Sequence, residues 1–248
     1  IKALFITNVL GLEYEIDAIE KFCRKNKVLF LEDNCEGLGC KVNNKLLGNY
    51  GLASTASSFI GHHFSTIEGG YIFTDDDKLA AMLKVVRAHG WTRNLSEKEK
   101  YLLSCKETNK FEQPYTFEYC GFNVRPSEIN AYCGLIQLDF LNEYNSIRAK
   151  RFKYASTKLG DFLYSPNTNN PAFALPFKAK SKKHKLIVTK KLSSKNIESR
   201  PIISGSMGNQ PFWVREFGIR NLKNAKNIDD LGFYVTNDPQ LSDENFYY

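Results

Sequence analysis

The chain has 248 residues, 42% of them hydrophobic and 25% charged, with a formal net charge of +7. A 13% aromatic content supplies too much buriable surface for a disordered chain, and no apolar run approaches the roughly 20 residues that cross a bilayer. The basic residues are dispersed apart from one cluster, so we expect neither nucleic acid nor a membrane as partner.

Ala3–Val9 is apolar and β-prone and closes at Gly11, which predicts a strand and a turn. The chain opens inside this run at Ile1, without Met, so we expect it to be part of a longer protein. Over Tyr14–Asn26, Ile16, Ile19, Phe22 and Cys23 recur at helical spacing, with acids early and Lys/Arg late as the helix dipole favours. Lys27–Glu32 is a short apolar run of the kind carried by a strand buried on both faces. Strand, helix and strand in about 30 residues make a βαβ unit, and with it an α/β fold with a mostly parallel sheet. Ala53–Phe59 and Gly70–Thr74 read as two more strands. Asp75–His89 reads as a helix capped by Thr74 or Asp75, with Leu79, Met82, Leu83 and Val86 inward.

Gly90–Val124 is polar, aromatic and irregular, as a long functional loop is. Pro126 and Ser127 open a helix carrying Ile129, Cys133, Ile136, Leu138 and Leu141, and a second helix covers Glu143–Leu159. Asn167–Pro171 punctuates a boundary. Beyond it, strands at Phe173–Phe177, Arg200–Ile203 and Phe233–Val235 read as a smaller α+β domain. Lys178–Lys191 holds seven lysines and one histidine without interleaved aromatics, which reads as a solvated face. The six cysteines, Cys23, Cys35, Cys40, Cys105, Cys120 and Cys133, show no CxxC pair and no zinc spacing. With no leader-like segment before the first strand, we expect free thiols and a cytoplasmic location.

Three short segments carry the chemistry. Leu31-Glu32-Asp33-Asn34-Cys35-Glu36 places an acid at the C-terminal end of a strand, where open α/β sheets bind ligands. Ser57-Ser58-Phe59-Ile60-Gly61-His62-His63 ends a second strand with a hydroxyl and two imidazoles, and Glu68-Gly69-Gly70 closes a tight turn. A buried Asp needs a cationic or donor partner to stay ionised, and a protonated pyridine nitrogen is one. A serine at a strand end can hold a phosphate, and a histidine beside it can move protons near neutrality. Taken singly, each has a plainer reading: Asp33 as a helix cap, His62-His63 as a surface loop. His62, His63 and Glu68 lack metal-ligand spacing, so no metal is expected.

Order and spacing together resemble a known family. Glu32-Asp33-x-x-Glu36, Ser57 to His62, and Glu68-Gly69-Gly70 resemble the DegT/DnrJ-type sugar aminotransferases, fold-type I enzymes of pyridoxal phosphate (PLP). Gly121-Phe122-Asn123-Val124-Arg125 with Glu128, Ala131, Gly134-Leu135 and Gln137-Leu138 extends the likeness. So do Ser199-Arg200-Pro201-Ile202, Gly232-Phe233-Tyr234 with Asn237, and Leu241-Ser242-Asp243-Glu244. The resemblance implies an aspartate-aminotransferase-like fold. Residues 1–142 would form part of the large cofactor-binding domain, and 143–248 the linking helix and small C-terminal domain. About the first third of such an enzyme would precede Ile1.

The family's Schiff-base lysine is replaced here by His62, and no lysine stands in the segment. With Arg87-Ala88-His89-Gly90-Trp91-Thr92-Arg93-Asn94, that swap is similar to the family's sugar-deoxygenating branch. It implies removal of the 3-hydroxyl from a nucleotide-linked sugar, GDP-4-keto-6-deoxymannose. The cofactor would be PLP and its amine form, pyridoxamine phosphate (PMP), held without a covalent bond, with L-glutamate restoring the amine. His62 would be the catalytic base, with His63 the alternative one register away. Asp33 would pair with the pyridine nitrogen, Glu36 would pack on the ring, and Ser57 would bond the phosphate. Asn123 and Arg125 would reach the partner subunit's cofactor in a homodimer with shared sites. His89, Arg93 and Arg200 would contact the sugar or diphosphate. Three readings stay open. One is a nucleotide-sugar aminotransferase, against which the missing lysine argues. Another is an iron–sulfur 3-dehydrase, whose cysteines would be expected where Trp91-Thr92-Arg93 stands. The third is an inactive fragment serving as a binding or structural module.

Overall fold

A computed structural model describes residues 1–106, 108–166 and 168–247; Asn167, at the start of the expected boundary, lies outside the described residues. In chain order the elements begin with β1 (Ala3–Thr7), α1 (Ile16–Lys25), β2 (Leu29–Asp33) and the short strands β3 (Lys41–Val42) and β4 (Lys45–Leu46). There follow β5 (Ala53–Ser57), β6 (Gly70–Phe73), α2 (Asp77–Val86), α3 (Glu97–Leu102) and α4 (Glu128–Leu159). The remainder is β7 (Ala174–Lys178), α5 (Lys182–Ser194), β8 (Ser199–Pro201), α6 (Pro211–Phe217), α7 (Lys223–Leu231), β9 (Gly232–Thr236) and α8 (Asp243–Tyr247). The chain forms two compact units. The first comprises 1–6, 16–33 and 48–139, and the second 7–15, 34–47 and 140–248.

The first unit holds a four-stranded sheet of order β1-β2-β5-β6. β2 and β5 run parallel with Asp33 opposite Thr55, and β6 returns antiparallel with Gly70 opposite Ser57. The C-terminal ends of β2 and β5 and the start of β6 therefore meet at one end of the sheet. β2 is not buried on both faces, as its apolar run suggested. Phe30 and Glu32 point inward while Leu29 is 53% exposed, the period-two alternation of a strand with one covered face.

In α1, Ile16 and Cys23 are buried but Phe22 faces out, because about 100° per residue places it about 120° from Ile16. α2 is capped by Asp76, whose carboxylate accepts from Leu79 N at 2.7 Å, rather than by Thr74 or Asp75. Its fully buried residues are Ala81 and Val85, which pack with Leu95 and Leu103; Leu79, Met82, Leu83 and Val86 are only half-buried. The 90–124 stretch is not wholly irregular. It contains α3, whose start is a capping box of Ser96 and Glu99.

The two helices expected over 126–159 are one, α4, with 128–139 in the first unit and 140–159 in the second. Leu141, Asn142 and Glu143 include no breaker, so nothing stops the helix there. In the second unit an antiparallel sheet of order β7-β9-β8 pairs Leu175 and Ser199 with Val235. Its core is Phe152, Ala155, Leu163, Ala172 and Leu175. Buried Arg151 donates to the carbonyls of Asp238 and Leu241, both at 2.6 Å, and pairs with Asp243 at 2.8 Å, which fastens the C-terminal segment. No helix among the described residues is long and apolar enough to cross a membrane.

Candidate active site

At the end of the first unit's sheet where β2 and β5 both finish, β2 closes with two adjacent acids that do different things. Glu32 is fully buried, and its carboxylate accepts the backbone N–H of Gly48 and Tyr50 at 2.7 Å and of Gly51 at 2.8 Å. Three charge-assisted bonds hold this buried carboxylate and lock the strand's end to the following turn. Sequence reasoning treated Glu32 as part of a motif and missed this anchor. Its one signal was an acid inside an apolar run. Asp33, next along, points to the other face, where it is half-buried and accepts from Thr55 Oγ1 at 3.3 Å.

β5 ends at Ser57, whose Oγ accepts Phe59 N at 3.2 Å. The loop that follows is laced rather than loose. Ile60 N donates to Ile67 O at 3.1 Å, Thr66 N to Ser58 O at 2.8 Å, and the Ser58 and Thr66 hydroxyls are 2.6 Å apart. Asn130 from α4 donates to Thr66 O at 2.5 Å. A Cβ on Gly69 would stand 2.6 Å from Thr66 Oγ1 and 2.8 Å from Ser58 Oγ, so glycine alone lets the loop close.

The two imidazoles carried by this loop differ. His63 is 2% exposed and sealed in, whereas His62 is half-buried, in edge contact with Phe59 at 6.1 Å between centroids. Burial pushes the His62 imidazole below the ordinary histidine pKa, and the Asp33 carboxylate opposes this only in part. The structure thus gathers Asp33, Ser57 and His62 at one end of one sheet, with His62 within Asp33's field.

His89, Arg93, Asn123 and Arg125 form a second group. Gly90 (φ +87°) would place a Cβ 1.6 Å from Tyr119 O, and one on Gly121 would stand 2.3 Å from Gly90 N. Two glycines therefore let distant stretches touch backbone to backbone, pairing Ala88 with Asn123 and Trp91 with Phe117. His89 itself has a left-handed backbone (φ +61°), and its N–H donates to Phe122 O at 2.7 Å. Arg93 lies over the Trp91 ring, and Arg125 Nε donates to Asn123 Oδ1 at 3.4 Å. Glu36 and Arg200 belong to the second unit. Glu36 accepts Leu10 N at 2.9 Å, and exposed Arg200 pairs with Glu198 at 2.7 Å.

The family model described as the DegT/DnrJ/EryC1/StrS aminotransferase family matches residues 1–248. The chain is 36% identical over 256 aligned residues to GDP-4-keto-6-deoxy-D-mannose 3-dehydratase of Escherichia coli O55:H7, covering 99% of this chain and 66% of that one. The solved Escherichia coli enzyme of that name, with bound hydrated PLP, superposes with a TM-score of 0.88 at 34% identity, covering 100% of this chain and 66% of the other. A GDP-4-keto-6-deoxymannose-3-dehydratase with a trapped PLP-glutamate geminal diamine superposes at 0.85 and 34% identity, over 99% and 66%. The chain spans about two-thirds of the length of these relatives, and its α/β fold is theirs.

Proposed function

The chain belongs to the DegT/DnrJ/EryC1/StrS aminotransferase family, and from that premise we propose that it serves PLP/PMP-dependent removal of the 3-hydroxyl of GDP-4-keto-6-deoxymannose. One observation carries the reading. A half-buried histidine, His62, lies within the field of Asp33 in the loop that follows β5, in a 57–70 segment that has no lysine. The 36% identity to a 3-dehydratase over nearly the whole chain supports it.

The donor set fits the cofactor. Asp33 offers a carboxylate to the N–H of a protonated pyridine ring, and Ser57 offers a hydroxyl to a phosphate, at the same end of the sheet. When bound in its amine form, the cofactor supplies an electron sink beside the sugar's 4-keto carbon. Asp33 keeps the proton on the ring nitrogen. His62, held neutral at pH 7 by its burial, takes a proton as general base and returns one to the departing 3-hydroxyl. Its Nδ1 is buried. An imidazole cannot fasten the cofactor as a lysine would, and this leaves the site open for proton transfer.

L-Glutamate restores the amine, a role supported by the glutamate adduct of the solved relative. Asn123 and Arg125, both exposed, reach the cofactor of a second subunit in a homodimer. Residues 1–142 act as part of the cofactor-binding domain and 143–248 as linking helix and small domain, in the cytoplasm. The test is product analysis. Incubation of the chain with PLP, L-glutamate and GDP-4-keto-6-deoxymannose should give a sugar with a methylene at carbon 3 by NMR, together with 2-oxoglutarate. A 4-amino sugar as the main product would overturn the reading.

A further inference from the structure

We infer that Asn130 is a positioning residue for the reaction proposed above: it pins a strained turn at Ile67 and so fixes the loop that carries His62. The inference rests on that reading for the role of His62, and adds the residue that sets where the imidazole stands.

Thr66, Ile67 and Glu68 form a three-residue turn closed by the Glu68 N–H on Thr66 O at 2.9 Å, with Ile67 in the left-handed region at φ +70°. A γ-turn with its central residue at positive φ is the strained form of that turn. A β-branched residue there is an outlier, because an L residue's Cβ crowds the carbonyl that follows. The Ile67 side chain is 53% exposed, so its own packing offsets little of that cost. Hydrogen bonds hold the turn instead. Ser65 Oγ accepts Ile67 N at 2.9 Å, and Thr66 Oγ1 donates to Glu68 O at 3.0 Å. From outside the loop, Asn130 Nδ2 donates to Thr66 O at 2.5 Å and to Glu68 O at 3.3 Å.

Asn130 is itself oriented. Its Oδ1 accepts the Ser127 hydroxyl, and its backbone N–H donates to Ser127 Oγ at 3.2 Å, in the first turn of α4. With Oδ1 engaged, the amide turns its NH2 group, the half that donates, to the two carbonyls of the turn. The turn is tied in its own right to the limb that carries His62. Ile67 O accepts Ile60 N at 3.1 Å, and Phe59 O accepts His62 N at 3.0 Å. A general base must stand within about 2.6–3.2 Å of the proton it takes, and a misplacement of about 1 Å costs about 100-fold. Removing the amide lets the strained turn relax, and the limb bearing His62 moves with it. A plain capping role for Asn130 needs only Oδ1 and the backbone N–H. Asn130→Asp keeps both and loses the donor to the turn.

The experiment compares Asn130→Ala, Asn130→Asp and Ile67→Gly with each Asn130 variant combined with Ile67→Gly. In the chain without cofactor, NMR follows the His62 imidazole, one of four histidines, assigned by its absence in His62→Gln. Asn130→Ala should loosen the loop and raise the His62 pKa toward the ordinary value of about 6.5. Asn130→Asp adds a charge, so it is read by amide exchange: the Ile60 N–H should lose protection about tenfold, as it should in Asn130→Ala. Ile67→Gly alone should change neither readout, and in combination it should restore both, because glycine holds φ > 0 without a clamp. In dehydration assays each Asn130 variant should lose about 10–100-fold in kcat, with KM for the sugar within about threefold, and Ile67→Gly should recover most of the loss. If Asn130→Ala fails to fold by circular dichroism, Asn130→Asp, with the cap intact, carries the comparison. Native Ile60 protection in the Asn130 variants, or no recovery on adding Ile67→Gly, overturns the inference. Loss and recovery of protection in a chain that yields no 3-deoxy sugar would overturn the functional reading alone. Dehydration with a kcat indifferent to Asn130 would overturn this inference alone.

Discussion

Replacing Glu32 by Gln tests whether one buried carboxylate holds the end of β2, and with it Asp33, in place. In the native chain Oε1 accepts from Tyr50 and Gly51 and Oε2 accepts from Gly48. If the Gln carbonyl keeps the Tyr50 and Gly51 bonds, each loses its charge assistance, about 1 kcal/mol apiece. The Gln amide then faces the Gly48 N–H, donor against donor, and a buried unpaired group costs about 1–3 kcal/mol. The total is about 3–5 kcal/mol, which for a chain of this size lowers the melting temperature by about 6–20 °C. Differential scanning calorimetry measures the shift, and amide exchange should show Gly48, Tyr50 and Gly51 losing protection together. A melting temperature within about 2 °C of the parent, with those three amides still protected, would refute the reasoning.

Three further outcomes follow from the same geometry. His62→Lys should retain PLP through gel filtration and His63→Lys should not, because His63 is sealed at 2% exposure; retention in His63→Lys alone would move the catalytic register by one residue. Because burial lowers the His62 pKa, the folded chain binds that proton less readily than the unfolded one, so stability falls as pH drops below about 6.5, the unfolded value. The loss of melting temperature from pH 7.5 to 5.5 should shrink in His62→Gln, and an equal loss would contradict the burial argument. Gly69→Ala should cost about 1–3 kcal/mol, since its Cβ would press on two hydroxyls already bonded to each other. Unchanged melting would show that the loop yields freely.

The alternation of strands and helices was legible because apolar runs and helical stripes follow one another along the first 90 residues. The places of Asp33 and Ser57 at strand ends were legible too, as each sits where a strand pattern ends and a turn begins. What sequence could not show depends on contacts between distant stretches. Glu32 looks like the last residue of an apolar run, and only the turn at 48–51 reveals why an acid is buried there. The meeting of His89 and Arg93 with Asn123 and Arg125 depends on the Gly90–Gly121 approach across some thirty residues of chain. α4 was divided in two because its apolar pattern shifts near Leu141, although no residue there breaks a helix.

The claim that a histidine stands in for the cofactor-bearing lysine has a direct measurement. The chain is loaded with PLP, reduced with borohydride and weighed intact by mass spectrometry under denaturing conditions. With His62 in the loop after β5 and no lysine between Ser57 and Gly70, the mass should be that of the unmodified chain. A stoichiometric adduct of reduced cofactor, mapped by proteolysis to any single lysine, would contradict it.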